Sequence, residues 1–332
     1  MSTVAVLGAG SWGTALAVHL GRAGHDVRLW ARDDALVSEI RQTGSNPRYL
    51  RHVTIPPSVT PSGSLDVVAG AAFVVLAVPS HGLRSVVGQV APQVGSGAVF
   101  VSAAKGLESN SLQRMSEVIA EESSGATPIV VLSGPSFAAE VAQGLPTALL
   151  AASANTEAAA AVQEQFRGRG LRLYLSDDVA GVEIGGALKN VIAIAAGVVE
   201  GLGLGHNAMA ALITRGLAEI SRLAGAVGAR RDTLAGLSGL GDLVLTCTGD
   251  LSRNRHVGVQ LGRGRPLPEI LAELHMVAEG VRTTGAALAL GQRHGIELPI
   301  AAQMAAVLDA TVSPRQAVDT LMGRRQRPES DG

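Results

Sequence analysis

Lysine is almost missing from this chain of 332 residues: Lys and Arg together number 27, yet only Lys105 and Lys189 are lysine. Cysteine is scarcer still. Cys247 stands alone, which excludes an internal disulfide and argues against a cysteine-built metal centre. Aromatic residues are 2% of the chain. With abundant Gly, Ala and Arg, these shortages fit a GC-rich coding bias that drifts lysine to arginine wherever any cation serves. An excess of charge of either sign is missing too, since the net charge is -1, and no basic block is present to grip nucleic acid or a membrane surface. No apolar run approaches the roughly 20 residues needed to cross a bilayer. The longest candidate, Val191–Val199, is flanked by Lys189 and Glu200, so no membrane insertion is expected. The N-terminus runs into "TVAVLGAG" without a basic leader or cleavage site, and the expected setting is the reducing cytoplasm.

What is present describes a packed, two-domain chain. Hydrophobic residues are 47% and charged residues 17%, enough to build substantial cores. Continuous apolar runs at 3–8, 26–31, 72–79, 98–103, 128–134, 147–152 and 171–176 suit strands buried on both faces of a parallel sheet. Helix-length segments such as "SWGTALAVHLGRAG" lie between them. The alternation predicts an α/β fold, a Rossmann-like doubly wound sheet. Residues 42–65, rich in Pro, Ser and Gly, are expected to form an irregular surface excursion. Beyond 178 the β signal stops, and Ala/Leu/Ile-rich segments recur at helical spacing (179–200, 207–227, 232–236, 253–262, 266–275, 280–294 and 299–308). The expected division is a dinucleotide-binding domain over 1–178, an all-α substrate domain over 179–323 and a disordered tail over 324–332.

The first strand leads into Gly8-x-Gly10-x-x-Gly13, which opens a helix. In a dinucleotide site such glycines serve a tight turn, close backbone approach to a pyrophosphate, and helix–strand packing. The helix N-terminus then presents N–H groups to the phosphates. Ser11 and Trp12, inside the motif, are candidate cofactor contacts. An NAD site usually carries an acidic residue at the tip of the second strand, to hold the ribose 2′-OH. Here Arg32 precedes Asp33, and a guanidinium would suit the 2′-phosphate of NADPH. NADPH is thereby favoured over NADH, with NADH left open and an ordinary solvated arginine the alternative.

A bias that replaces lysine makes each retained lysine informative, because an amine can surrender a proton and a guanidinium cannot. Lys105 lies in "SAAKGLE", just past a strand end, where α/β folds place ligands. Lys189 lies in "GGALKNV", on a helix of small residues. Polar residues also gather in "LSGPSFAAEVAQGLPTA" (132–148) and "GLSGLGDLVLTCTGDLSRNRHVG" (236–258). Together with the glycine motif, these stretches resemble the NAD(P)-dependent glycerol-3-phosphate dehydrogenases in the family's own order, from the first strand to about residue 310. "YLRHVTIP" (49–56) departs from the pattern, since the family often has a proline after the Tyr/Phe-Leu pair.

The resemblance implies NAD(P)H-dependent, reversible reduction of dihydroxyacetone phosphate to sn-glycerol 3-phosphate. Ketone reduction needs hydride at carbon and a proton at the developing alkoxide. Lys189, desolvated beside Gly185, Gly186 and Ala193, would be the acid; a snorkelling structural lysine is the alternative. Lys105 is implied to touch substrate and cofactor, and Asp242 to bind the substrate hydroxyl or tune Lys189. Ser252, Arg253 and Asn254 would hold the phosphate, with Arg253 also near the cofactor. Gly134 and Ser136 are carried over as substrate contacts, and Ala138, Val277 and Glu279 as cofactor contacts. Arg255, His81 and His206 are expected to be structural, and no metal-ligand spacing is present. A β-hydroxyacid or 6-phosphogluconate dehydrogenase also carries a helical Lys-Asn pair, but "SRNR" after "GLGDL" favours the triose phosphate. A non-catalytic NADPH sensor would leave both lysines unexplained. A homodimer is the expected assembly.

Overall fold

The computed structural model describes every residue except 126, 275, 276, 327 and 330–332. Its contacts divide the chain into two compact units. One comprises Met1–Ala104 with Met115–Val179, and the other Lys105–Arg114 with Ala180–Gly332. The ten residues around Lys105 thus pack with the helical part, although they interrupt the sheet part in sequence.

The first unit is a sheet of eight strands: β1 (Thr3–Leu7), β2 (Asp26–Trp30), β5 (Val59–Ser62), β6 (Phe73–Leu76), β7 (Val99–Ser102), β8 (Ile129–Ser133), β9 (Thr147–Ala152) and β10 (Leu171–Ser176). Their order is β10-β9-β8-β7-β6-β1-β2-β5. Helices α1 (Ser11–Arg22), α2 (Asp34–Thr43), α3 (Ser80–Val90), α4 (Met115–Glu122), α5 (Ala138–Gln143) and α6 (Thr156–Phe166) cover it. Separate apolar clusters include Val4, Val6, Leu16 and Leu20 in one case and Leu7, Leu76, Leu83 and Phe100 in another. Two features depart from expectation. β9 runs antiparallel to β8 while pairing in parallel with β10; a continuous apolar run reports burial and carries no direction. Residues 42–65 are more regular than their composition suggests. They hold a hairpin of β3 (Ser45–Asn46) and β4 (Leu50–Thr54), followed by β5, which adds to β2 with Pro61 opposite Leu29. An edge strand tolerates that proline because its outer side has no partner to bond.

The second unit is helical: α7 (Val179–Gly201), α8 (Gly205–Ala226), α9 (Arg231–Ala235), α10 (Asp242–Thr248), α11 (Arg253–Gly262), α12 (Leu267–Glu273), α13 (Glu279–His294), α14 (Pro299–Leu308) and α15 (Pro314–Met322). The expected end of the 266–275 helix falls partly outside the described residues. Helix α15, not anticipated, begins in a capping box made by Ser313 and Gln316. Contrary to the expectation that no apolar run approaches bilayer length, helix α7 is long and apolar enough to cross a membrane, because Lys189 and Glu183 interrupt its sequence without ending the helix; its apolar stretch is buried in the helical core. Small residues let α11 lie directly on it: a Cβ at Gly258 would stand 1.9 Å from Ile194 O, and one at Gly197 would stand 2.0 Å from Arg255 O. Buried Glu219 accepts bonds from Ile300 N and Ala301 N at the start of α14. Of the expected tail, Arg324 pairs with Glu297 at 3.1 Å, while residues 327 and 330–332 lie outside the described set.

Candidate functional site

In the helical unit both lysines end on one carboxylate. Asp242 opens α10 after a π-turn over Leu237–Gly241, in which Gly241 N bonds Gly236 O at 3.0 Å. Such wide turns within helices are frequent at functional sites. Close contacts seat this one: a Cβ at Gly239 would meet Leu234 O at 2.0 Å, and one at Gly185 of α7 would meet Ser238 O at 2.7 Å. Asp242 has a side chain only 1% exposed. Its Oδ2 accepts from Lys105 Nζ at 2.7 Å, and its Oδ1 from Lys189 Nζ. Lys189 Nζ donates as well to Thr246 Oγ1 at 2.9 Å, and that hydroxyl donates back to Asp242 O at 2.6 Å.

These surroundings set the proton affinity of Lys189. Burial disfavours its charged form and brings the pKa down from 10.5 to about 8; the Asp242 charge opposes this, and the Lys105 charge reinforces it. An amine held near neutrality can both give and take a proton, as acid–base work requires.

A second cluster surrounds the start of α11. Ser252 caps it by accepting from Arg255 N at 3.2 Å. Arg253 is exposed and feels the Glu279 charge at the start of α13. The Asn254 side chain bridges two elements, donating from Nδ2 to Asn190 Oδ1 at 2.9 Å and accepting from Gly280 N at 3.0 Å. One Nδ2 hydrogen remains. Val277 is half-buried just before α13. Arg255 pairs with Glu200 at 2.8 Å and Asp250 at 3.0 Å. Thr246 and Asn190 belong to these networks although sequence reasoning gave neither a site role. The only signals were that Thr246 follows Asp242 by one helical turn and that Asn190 adjoins Lys189.

In the sheet unit the glycine motif forms a backbone cradle. Gly8 has φ +115°, and a Cβ there would stand 2.8 Å from Ala77 C and O. A Cβ at Gly13 would stand 1.9 Å from Gly8 O, whereas Gly10 faces open space. Helix α1 has neither a side-chain cap nor an acidic residue in its first turn. Its N-terminal N–H groups therefore suit a diphosphate. The buried Trp12 Nε1 has no hydrogen-bond partner among the described residues, and Ser11 Oγ donates to Tyr49 O at 3.0 Å. At the tip of β2, Asp33 caps α2 and pairs with Arg48, while Arg32 is exposed. Gly134 turns at φ +131° after β8, Ser136 Oγ bonds Gly134 O at 3.0 Å, and Ala138 begins α5. His81 and His206 are exposed, and among the described residues no three His, Cys, Asp or Glu side chains could hold a metal ion.

Two family models match nearly the whole chain. The model of the NAD-dependent glycerol-3-phosphate dehydrogenase N-terminus covers residues 3–159, and that of the C-terminus covers 178–319. The chain belongs to that family.

Curated relatives agree with this membership. The glycerol-3-phosphate dehydrogenase [NAD(P)+] of Koribacter versatilis is 52% identical over 337 residues, covering 99% of each chain. That of Thioalkalivibrio sulfidiphilus is 51% identical over 98% of each. The crystal structure of glycerol-3-phosphate dehydrogenase from Coxiella burnetii superposes with a TM-score of 0.94 at 42% identity, covering 97% of this chain and 99% of that one. A ketopantoate reductase from Ralstonia eutropha, at 19% identity and a TM-score of 0.61, shares the fold alone. The dehydrogenase family uses NADH or NADPH, and the glycine cradle and unblocked α1 N-terminus fit either.

Proposed function

We propose that this dehydrogenase reduces dihydroxyacetone phosphate reversibly to sn-glycerol 3-phosphate, for glycerophospholipid synthesis, with Lys189 as the general acid. The observation that carries the residue assignment is the convergence of Lys105 and Lys189 on Asp242. The reduced nicotinamide, when bound, supplies the hydride. Lys189 Nζ supplies the proton to the carbonyl oxygen as negative charge builds there, and in the reverse direction takes it back. Asp242 and Thr246 orient that ammonium, and the lowered proton affinity makes release possible. Lys105 donates to the polar end of the substrate. Ser252, the free N–H groups at the start of α11 and the fork of Arg253 hold the phosphate. Asn254, bonded to Asn190 and Gly280, presents its remaining amide hydrogen to the same group. Gly134 and Ser136 contribute a substrate loop.

The cofactor is assigned to Gly8, Gly10, Ser11, Trp12 and Gly13, with Arg32 taking the 2′-phosphate of NADPH and Lys105, Ala138, Arg253, Val277 and Glu279 completing its contacts. NADPH is preferred over NADH, because the Asp33 carboxylate is already engaged by Arg48 and by the cap of α2. The enzyme works in the cytoplasm as a homodimer. The exposed Leu240, Val244 and Leu251 of the helical unit support a subunit contact, which light scattering tests. Initial rates with dihydroxyacetone phosphate, comparing NADPH with NADH, test the reaction. Faster turnover of a β-hydroxyacid or of 6-phosphogluconate would overturn it.

A further inference from the structure

The ten residues from Lys105 to Arg114 form a small anchored loop whose far end has no role in the reaction as described. Leu107, 4% exposed, is sunk in the helical core. Leu107 and Arg114 face each other across an isolated antiparallel bridge. Between them Glu108 N bonds Gln113 O and Leu112 N bonds Glu108 O, both at 2.9 Å. The turn closes through Leu112 at φ +63°, a left-handed conformation that costs a branched residue energy and persists where its surroundings hold it. Leu112 packs against the helical core.

At the end of this loop Arg114 Nη1 bonds Glu183 Oε2 at 2.8 Å, and the Glu183 side chain is 3% exposed. Glu183 sits on α7, six residues before Lys189, about 9 Å along the helix. A carboxylate so buried needs a cation in place, because an unpaired buried charge is strongly disfavoured. The loop therefore has a fixed ionic foot on the helix that carries Lys189, while its head carries the ammonium that shares Asp242 with Lys189.

We infer that Arg114 and Glu183 are positioning residues: their buried ion pair latches the Lys105 loop to α7 and so holds the Lys105 ammonium at Asp242. The functional consequence rests on the reaction proposed above; the latch does not. Since the Lys105 charge pushes the Lys189 proton affinity down, a loosened loop lets the Lys189 pKa rise.

Only two lysines exist in the chain, so ¹⁵N-lysine labelling yields two side-chain ammonium signals, readable without turnover. The variant Arg114→Met with Glu183→Gln removes both charges together, so neither charge is left buried without the other. The expected result is a Lys105 signal that moves and narrows, and a Lys189 titration midpoint above that of the wild type. The KM for dihydroxyacetone phosphate should rise by up to roughly 10²-fold, the scale of a 1 Å misplacement. The basic limb of kcat should move up with the Lys189 midpoint, and Arg114→Lys alone should restore part of both. Wild-type ammonium signals in a double variant that melts normally would overturn the latch. If the double variant does not fold, Glu183→Gln alone is read in the same way, and unchanged signals there overturn it equally. A wild-type protein inert toward dihydroxyacetone phosphate would overturn the proposed reaction while leaving the ammonium readout of the latch intact.

Discussion

Lys105 and Lys189 bond opposite oxygens of a single buried carboxylate, Asp242. One anion between two cations leaves the trio with a net positive charge at a largely buried position. That charge favours an anionic substrate, and burial beside a second cation lowers the proton affinity of Lys189.

Lys189→Arg separates charge from proton transfer. Arginine keeps the cation but holds its proton at every working pH. Turnover should fall by about 10² to 10⁴, the usual scale for an acid–base group, with NADPH affinity by fluorescence titration near wild type. A variant with wild-type kcat would remove Lys189 from the mechanism.

The pH profile follows from the same groups. Reduction consumes the protonated amine, so kcat in that direction should be level at neutral pH and fall as pH rises through about 8; oxidation should show the opposite limb. Asp242 raises the Lys189 pKa and Lys105 lowers it. Asp242→Asn should therefore move the limb to lower pH and Lys105→Met to higher pH. Residual activities suffice for the measurement, because only the limb's position is compared. Movement of both in the same direction would contradict the shared-carboxylate account.

Arg32 controls the choice of nucleotide in this reading. A guanidinium–phosphate bond contributes about 1.5–3 kcal/mol, or roughly 10- to 10²-fold in affinity. Arg32→Ala should raise the KM for NADPH by that factor and leave the KM for NADH unchanged. Equal effects on both cofactors would assign Arg32 to the surface.

Local features were the ones legible in the sequence. The strand–turn–helix around Gly8, Gly10 and Gly13 is contiguous, so three glycines and an apolar run suffice to place it. The two lysines stood out through composition, a property of the whole chain that needs no geometry. Asp242 looked like a turn residue after glycines, and only family resemblance marked it, because its partners come from distant segments. Thr246 and Asn190 went unassigned for the same reason. The reversal of β9 and the strand β5 were hidden differently: burial on both faces erases direction, and Pro61 disguises a strand whose edge position makes proline harmless. That the Lys105 loop packs with the helices follows from the burial of Leu107 and from the Arg114–Glu183 pair, neither of which has a sequence signal.

The contact between α7 and α11 places Ser252–Asn254 relative to Lys189, and it depends on glycines. Gly258→Ala would force a Cβ to within 1.9 Å of Ile194 O, so the helices must separate. Overpacking of this kind costs about 1–3 kcal/mol. The urea midpoint should drop, and the KM for dihydroxyacetone phosphate should rise more than the KM for NADPH. Gly264→Ala, a glycine at φ +85° with open space around it, should lower stability through backbone strain alone and leave the ratio of the two KM values unchanged.

Burial of His19 should make the sheet unit sensitive to acid. It is buried, and its Nε2 meets Phe166 O at 2.7 Å, at the end of α6. Burial pushes its pKa below 6.5, and the charges of His25 and Arg22 push the same way, against the pull of the Phe166 carbonyl. Between the folded-state pKa and 6.5 the unfolded chain binds more protons than the native one, so stability rises with pH across that window. Acidification below about 6.5 should therefore lower the urea midpoint, and the loss should level off once pH passes below the folded-state value. His19→Gln retains a donor for Phe166 O and does not titrate. If His19 is the responsive group, this variant loses less stability than the wild type between pH 7.5 and 5.5; equal losses in the two proteins would move the response to another residue.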